Sequence, residues 1–213
     1  MNLYDLLLGS EDARAQRITG VVVGVVTNNQ DPDGLGRVKV KFPWLSDEDE
    51  SQWARLAVPM AGKDRGAYFL PEVDDEVLVV FEHGDVRFPY VVGALWNGQD
   101  TPPAKNDDGK NNLRLIKSRS GHVIKLNDED GKETIEIIDK SEKNSIIVDT
   151  ANNTITITTD KDITLSAPKG TIKLDAQKID IKSSADTKLE AGAGMDVKAS
   201  ATMNVKGATV NIN

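Results

Sequence analysis

Apolar and polar positions alternate with a period of two in run after run of this chain, and the spacing of the runs changes partway along it. From Ile18 onward the runs are short, β-rich and separated by turn clusters. ITGVVVGVVT (18–27) ends at NNQDPDGLG, a turn-rich loop with Gly34 and Gly36. RVKVKF (37–42) alternates strictly, which puts Val38, Val40 and Phe42 on one face and Arg37, Lys39 and Lys41 on the other. WARLAVPM (53–60), DEVLVVFE (75–82) and YVVGALW (90–96) predict three more strands, the last two joined through a hairpin turn at HGD. Five strands, no long helical pattern and a length of about 80 residues suit a small OB-type β-barrel, with a sandwich as the other solution.

Beyond residue 112 the runs shorten. Apolar i, i+2 pairs recur at Ile135/Ile137, Ile146/Val148, Ile155/Ile157, Ile163/Leu165, Ile172/Leu174, Ile179/Ile181, Met195/Val197, Met203/Val205 and Val210/Ile212, with Thr187/Leu189 a weaker member. From Ile155 the steps are 8, 9, 7, 8, 8, 8 and 7 residues. A step near eight is an internal repeat, with Ser, Thr, Asp, Asn, Lys and Gly forming the turns and wet face between pairs. A β-helix made by one chain needs coils of roughly 20 residues or more to enclose its core. Eight residues cannot close a coil, but three chains around one axis can, each supplying one wall per layer. The second region is therefore predicted to be an intertwined, triple-stranded β-helix in a homotrimer. Its core would be Ile155, Ile157, Ile163, Leu165, Ile172, Leu174, Ile179, Ile181, Met195, Val197, Met203, Val205, Val210 and Ile212. Eight such strands at ~4.8 Å per layer give a shaft roughly 40 Å long.

Composition sharpens the division. All ten aromatic residues lie between Tyr4 and Trp96, and seven of the eight prolines at or before Pro103. A narrow prism accommodates Ile, Val, Leu and Met but not rings, which accounts for the missing aromatics. TPPAKNDDGKNN reads as a linker. The organisation expected is an N-terminal segment at 1–17, a barrel at 18–100, a linker at 101–112 and a needle at 113–213. Residues 1–110 hold 11 Lys/Arg against 19 Asp/Glu, whereas 111–213 hold 15 of each.

These features weigh against other classes. An OB barrel that binds nucleic acid wants a basic groove with exposed rings. Here the barrel region is acidic, with DEDE (47–50) and DDE (74–76), and alternating Lys in RVKVK reads as a solvated strand face. A carbohydrate-active β-helix would use long coils and clustered carboxylates or arginines, and a disordered tail would lack sustained spacing. His83 reads as a turn residue and His122 as a structural corner. No Ser-His-Asp set, phosphate-cradling glycine loop or glycosidase carboxylate pair can be assembled, so no catalytic, cofactor or metal residues are assigned and the chain reads as non-enzymatic. There are no cysteines. The start, MNLYDLLLGSEDAR, lacks a basic region and a small-residue cleavage site, so synthesis in the cytoplasm without a signal peptide is expected.

The motifs over about 18–140 resemble the phage baseplate assembly protein V and VgrG-type spike family. ITGVVVGVVTNNQDPDGLGRVKVKFPWL resembles the opening of that family's OB domain. SQWARLAVPMAGKDRGAYFLPEVDDEVLVVFEHGDVRFPYVVGALWNG looks like the block that follows, and KSRSGHVIKLNDEDGKETIEI like the lead into the needle. The resemblance implies a trimeric spike in the baseplate of a contractile injection machine, one that plugs the hub and is driven through a target cell envelope. Leu3, Leu6 and Leu7 would contact the hub. A separate tip protein, like the family's PAAR-repeat tips, would pair with Thr209, Val210, Asn211, Ile212 and Asn213. The chain departs from some members in having only about a dozen linker residues where a lysozyme domain can sit. It also lacks the His-x-His motif that holds iron near some phage needle tips.

Overall fold

The computed structural model describes residues 17–46 and 49–212. The N-terminal segment with Leu3, Leu6 and Leu7, two members of the DEDE run (Asp47 and Glu48), and Asn213 lie outside the described residues. The chain divides after Asp160 into two units, and its described residues are β and coil apart from one short 3-10 turn at Glu82–Gly84.

In the first unit, seven strands come before residue 95 among the described residues: β1 (Val21–Asn28), β2 (Lys39–Lys41), β3 (Arg55–Leu56), β4 (Ala61–Gly62), β5 (Arg65–Gly66), β6 (Glu76–Phe81) and β7 (Pro89–Ala94). Five of them form one sheet in the order β2-β1-β6-β7-β3, antiparallel except where β3 runs parallel to β7. The outer strands meet through a bridge: the Val38 amide donates to the Ala54 carbonyl at 3.0 Å, and the Ala54 amide returns the bond at 2.7 Å. The sheet closes on itself in that way, and the order β1-β2-β3-β7-β6 is that of an OB barrel. Irregularities at Val26/Asn28 and Leu78/Val79 supply the bending that closure of so few strands requires.

The core is small and dominated by valine. Val26, Val38, Val40, Ala54, Val77 and Val79 are fully buried, and Phe42 packs edge-on against Phe81 with centroids 5.6 Å apart. Alternation at 37–42 accordingly points Val38, Val40 and Phe42 inward, as expected. Gly24 also faces this core: a Cβ there would run into Val40 Cγ1 and stand 3.0 Å from the Phe42 ring. Two details differ from the sequence reading. The strand expected at 53–60 shrinks to Arg55–Leu56, and the chain beyond it turns into the separate β4–β5 hairpin.

After residues 95–112, five more strands follow: β8 (Leu113–Lys117), β9 (Val123–Asn127), β10 (Thr134–Ile138), β11 (Ser145–Asp149) and β12 (Thr154–Thr158). They form an antiparallel meander in chain order, every ladder bond made within the chain. Ile155 and Ile157, grouped by spacing with the shaft, thus pair in register with Val148 and Ile146 of the same chain. In the second unit no strand or helix is present among the described residues 161–212, and the side chains there are exposed.

Candidate functional site

Register in the meander creates a feature that a single chain does not bury. Directly paired residues share a face. One row across the strands reads Ile116, Ile124, Ile137, Ile146, Ile157; the next reads Arg114, Leu126, Ile135, Val148, Ile155. Nine of these ten residues are aliphatic, and Arg114, at the corner, is paired with Asp128. The opposite face carries Lys125, Glu136, Thr134, Thr154 and Thr156 among its residues, with a Lys125–Glu136 ion pair at 2.8 Å.

Burial is inverted relative to chemistry. Ile137 is 50% exposed, whereas its neighbour Glu136 keeps only 12% of its side chain in solvent. Burial pushes the Glu136 carboxyl up, but Lys125 and the Thr134 hydroxyl together outweigh it and hold the group below its ordinary range. Long side chains thus cover the mixed face while the apolar face stays bare.

Each sequence-predicted trimer-core residue after 160 is likewise uncovered, with a regular inequality inside the pairs. Ile172 is 51% exposed and Leu174 67%; Met203 is 48% and Val205 67%. The same order holds at Ile163/Leu165, Ile179/Ile181, Met195/Val197 and Val210/Ile212. Thr209, Val210, Asn211 and Ile212 are all exposed. Ion pairs at i, i+2, such as Lys178–Asp180 at 2.8 Å and Lys188–Glu190, alternate residue by residue with the members of the i, i+2 pairs.

In the barrel, the DPDGLGR loop is organised by one carboxylate. Asp31 accepts hydrogen bonds from the amides of Asp33, Leu35 and Arg37, and Arg37 grips it as a fork, Nε to Oδ2 at 2.8 Å and Nη2 to Oδ1 at 2.6 Å. The guanidinium is the main reason that the Asp31 carboxyl is held far below the usual carboxylate range. Gly34 and Gly36 take φ of +67° and +69° inside this loop, as the sequence expectation of a tight turn requires. Arg37 and Lys39 both sit over the Trp53 ring, and Lys39 pairs with Glu50 at 3.0 Å. Two cations of the RVKVK stripe are therefore engaged by the protein's own acids.

His83 occupies the turn between β6 and β7 with φ +53°, and His122 accepts the Lys140 amide on Nδ1 at 3.2 Å. Both sit in connections between strands, His122 directly before β9. Among the described residues no three or more His, Cys, Asp or Glu side chains gather as a metal site, and no helix is long and apolar enough to cross a membrane. Sequence reasoning missed an open cleft of about 1020 Å³ beside the β4–β5 hairpin, where Leu35, Tyr68 and Phe69 are exposed. The AYFL run after Gly66 was the available signal.

Comparison with known proteins bears on this geometry. Residues 22–96, the closed barrel, match the family model of the type VI secretion system/phage-baseplate injector OB domain. The type VI secretion system spike protein VgrG1b of Pseudomonas aeruginosa is 32% identical over 138 residues, 61% of this chain and 19% of that protein. VgrG3 of Vibrio cholerae is 39% identical over 82 residues, 37% of this chain and 8% of that protein. The actin cross-linking toxin VgrG1 of the same species is 28% identical over 151 residues, 63% of this chain and 14% of its own length. The chain thus spans less than a quarter of the length of these relatives. With a barrel that closes in OB order over the residues that match, and a sequence that aligns with VgrG spikes across and beyond it, residues 22–96 of the chain form a type VI secretion system/phage-baseplate injector OB domain.

Proposed function

We propose that the protein is a non-enzymatic structural spike of a contractile injection system, working as a homotrimer: the barrel sits on the baseplate hub and the C-terminal shaft punctures the target cell envelope. The observation that carries this reading is the uncovered series of apolar i, i+2 pairs that runs to Ile212 in a chain whose barrel is an injector OB domain. Uncovered aliphatic side chains at this density call for a partner, and an eight-residue step leaves three identical chains as the simplest enclosure. In this reading the barrel (18–100) and linker (101–112) carry a needle (113–213). The residues from Ile155 to Ile212 assigned above face its axis, and Thr209–Asn213 receive a separate tip protein. The N-terminal segment, 1–17, meets the hub.

Native mass by light scattering tests the assembly. The expected value is about three times the chain mass of 23.1 kDa. A folded particle of one chain mass at micromolar concentration refutes the shaft. Ile172→Asp is expected to abolish the trimer, since three like charges would be buried at one height. Normal trimer yield in that variant shows that Ile172 does not face the axis.

A further inference from the structure

We infer that residues 1–16 fold back over the outer face of this chain's own barrel, where Leu3, Leu6 and Leu7 cover an apolar patch on β1, β6 and β7. The inference does not need the trimer, and it reassigns those leucines from the hub to the barrel.

The patch follows from strand register. In β1, Val22, Gly24 and Val26 turn toward the core, so Val21 and Val23 turn away from it, 60% and 42% exposed. Pairing puts Val21 in one row with Val80 and Tyr90, and Val23 in the next with Leu78 and Gly93. Val92, unpaired where the β6–β7 register shifts, is exposed beside them. Charge returns at the borders: Arg55 lies over the Tyr90 ring, and the third row is Lys41, Val25 and Glu76. An antiparallel sheet with one wet face alternates apolar-in and polar-out. VVVGVV in β1 and VLVV in β6 are instead the continuous runs of strands covered on both sides. The core fills the inner side; the outer side is bare among the described residues.

Two observations make the occupant the chain's own N-terminal segment. The first is where that segment joins the barrel. The Ile18 amide donates to the Gly84 carbonyl at 3.0 Å, just past the end of β6, and Val21 pairs with Val80. Residues 1–16 therefore enter at the uncharged end of the patch, away from Lys41 and Glu76. Across three strands the patch is ~10 Å wide. Residues 9–16 can span up to ~25 Å, so the leucines reach it with chain to spare. Their i, i+3, i+4 spacing sets all three on one side of a helical turn, with Asp5 opposite as the side the hub would meet. The second observation is area. Six side chains, none more than 60% exposed, leave bare on the order of 300 Å². That is short of the ~800 Å² per partner that a stable contact between separate proteins needs. A tethered segment needs less, because its effective concentration at the patch is on the order of millimolar.

The chain has no cysteine, so single thiols report without background. In the full chain, maleimide labelling of Val23→Cys is expected to speed up at least tenfold when Leu3, Leu6 and Leu7 are all replaced by Ser. Labelling of Tyr68→Cys, in the cleft beside the β4–β5 hairpin, should not change. Val92→Cys repeats the measurement if Val23→Cys fails to fold. A rate at Val23→Cys that ignores the leucines overturns the inference: a fast one leaves the patch bare, and a slow one gives it to another occupant. Acceleration at Tyr68→Cys instead moves the leucines to the cleft and overturns it as well. Oxidised Leu6→Cys/Val23→Cys is expected to lose both free thiols while staying at one chain mass without reductant. A disulfide-linked band of two chain masses would assign the segment to a neighbouring copy's barrel and refute the fold-back. The labelling result does not depend on assembly, so a particle of one chain mass would refute the shaft and leave this inference standing.

Discussion

Five N–H donors converge on the carboxylate of Asp31, three from the loop backbone and two from Arg37, so the loop before β2 depends on that group remaining charged. Asp31→Asn turns one acceptor oxygen into a donor facing other donors. The barrel should then melt several degrees lower, and Arg37→Lys should show part of that loss because an ammonium cannot reproduce the fork. Acid should act in the same direction. The carboxyls of Asp31, Asp85, Asp139 and Asp149 are all held below their ordinary value of 3.8, chiefly by Arg37, Arg87, Ser141 and Asn152 respectively. A depressed folded pKa means that the unfolded chain binds more protons, so the stabilisation is full above about pH 4 and drains as pH falls below it. For Asp85 the loss ends only around its folded value of about 2. Melting temperature should be flat between pH 7 and 5 and fall below 4; a decline already under way by pH 6 contradicts this origin. Gly24 makes a different kind of prediction. Gly24→Val forces two methyls and a Cβ into Val40 and Phe42, and should cost about 1–3 kcal/mol of barrel stability by urea unfolding.

Elements differ in how far the sequence discloses them. The strands through Val38–Phe42, Glu76–Phe81 and Pro89–Ala94 are legible because alternation, turn residues and burial agree. The β4–β5 hairpin is not: AGKDRG carries no apolar alternation, and its Ala61–Gly66 pairing is set by the turn at Lys63–Asp64, where Asp64 takes φ +53°. The closing bridge from Val38 to Ala54 is also invisible, since nothing in either residue type names the other. In the second half, periodicity finds every apolar pair but cannot say which chain supplies the next strand. The same alternation fits the in-chain ladder at Ile146–Ile157 and the described residues of the second unit, which lie in no strand. That ambiguity can be resolved by amide exchange in the assembly-blocked Ile172→Asp variant. The β9–β11 amides should stay protected, because their partners are in the same chain, while amides of 163–210 should exchange freely. Val79→Ala separates the barrel in turn. It should cost about 2 kcal/mol of barrel stability and leave the trimer mass unchanged.

At the scale of the whole molecule, three wound chains must break many interchain bonds together to separate, so unfolding of the assembly should be slow and should lag its refolding midpoint in denaturant. Coincident unfolding and refolding curves after short incubation would argue against wound chains. Deleting Thr209–Asn213 should leave a soluble trimer that no longer retains a tip protein when particles are assembled with it; full retention would move the tip contact elsewhere. One feature of the chain makes such experiments easier to read. Every Phe, Tyr and Trp precedes Asn97, and Trp53 lies against Arg37 and Lys39 beside the Asp31 loop. Tryptophan emission therefore watches the barrel alone, and near-ultraviolet dichroism only the residues up to Trp96, whereas far-ultraviolet dichroism also sees the strands beyond the linker. The shaft is silent only in the near-ultraviolet, so the part of a far-ultraviolet melt that the near-ultraviolet melt does not share reports the half beyond the linker, with no dye attached.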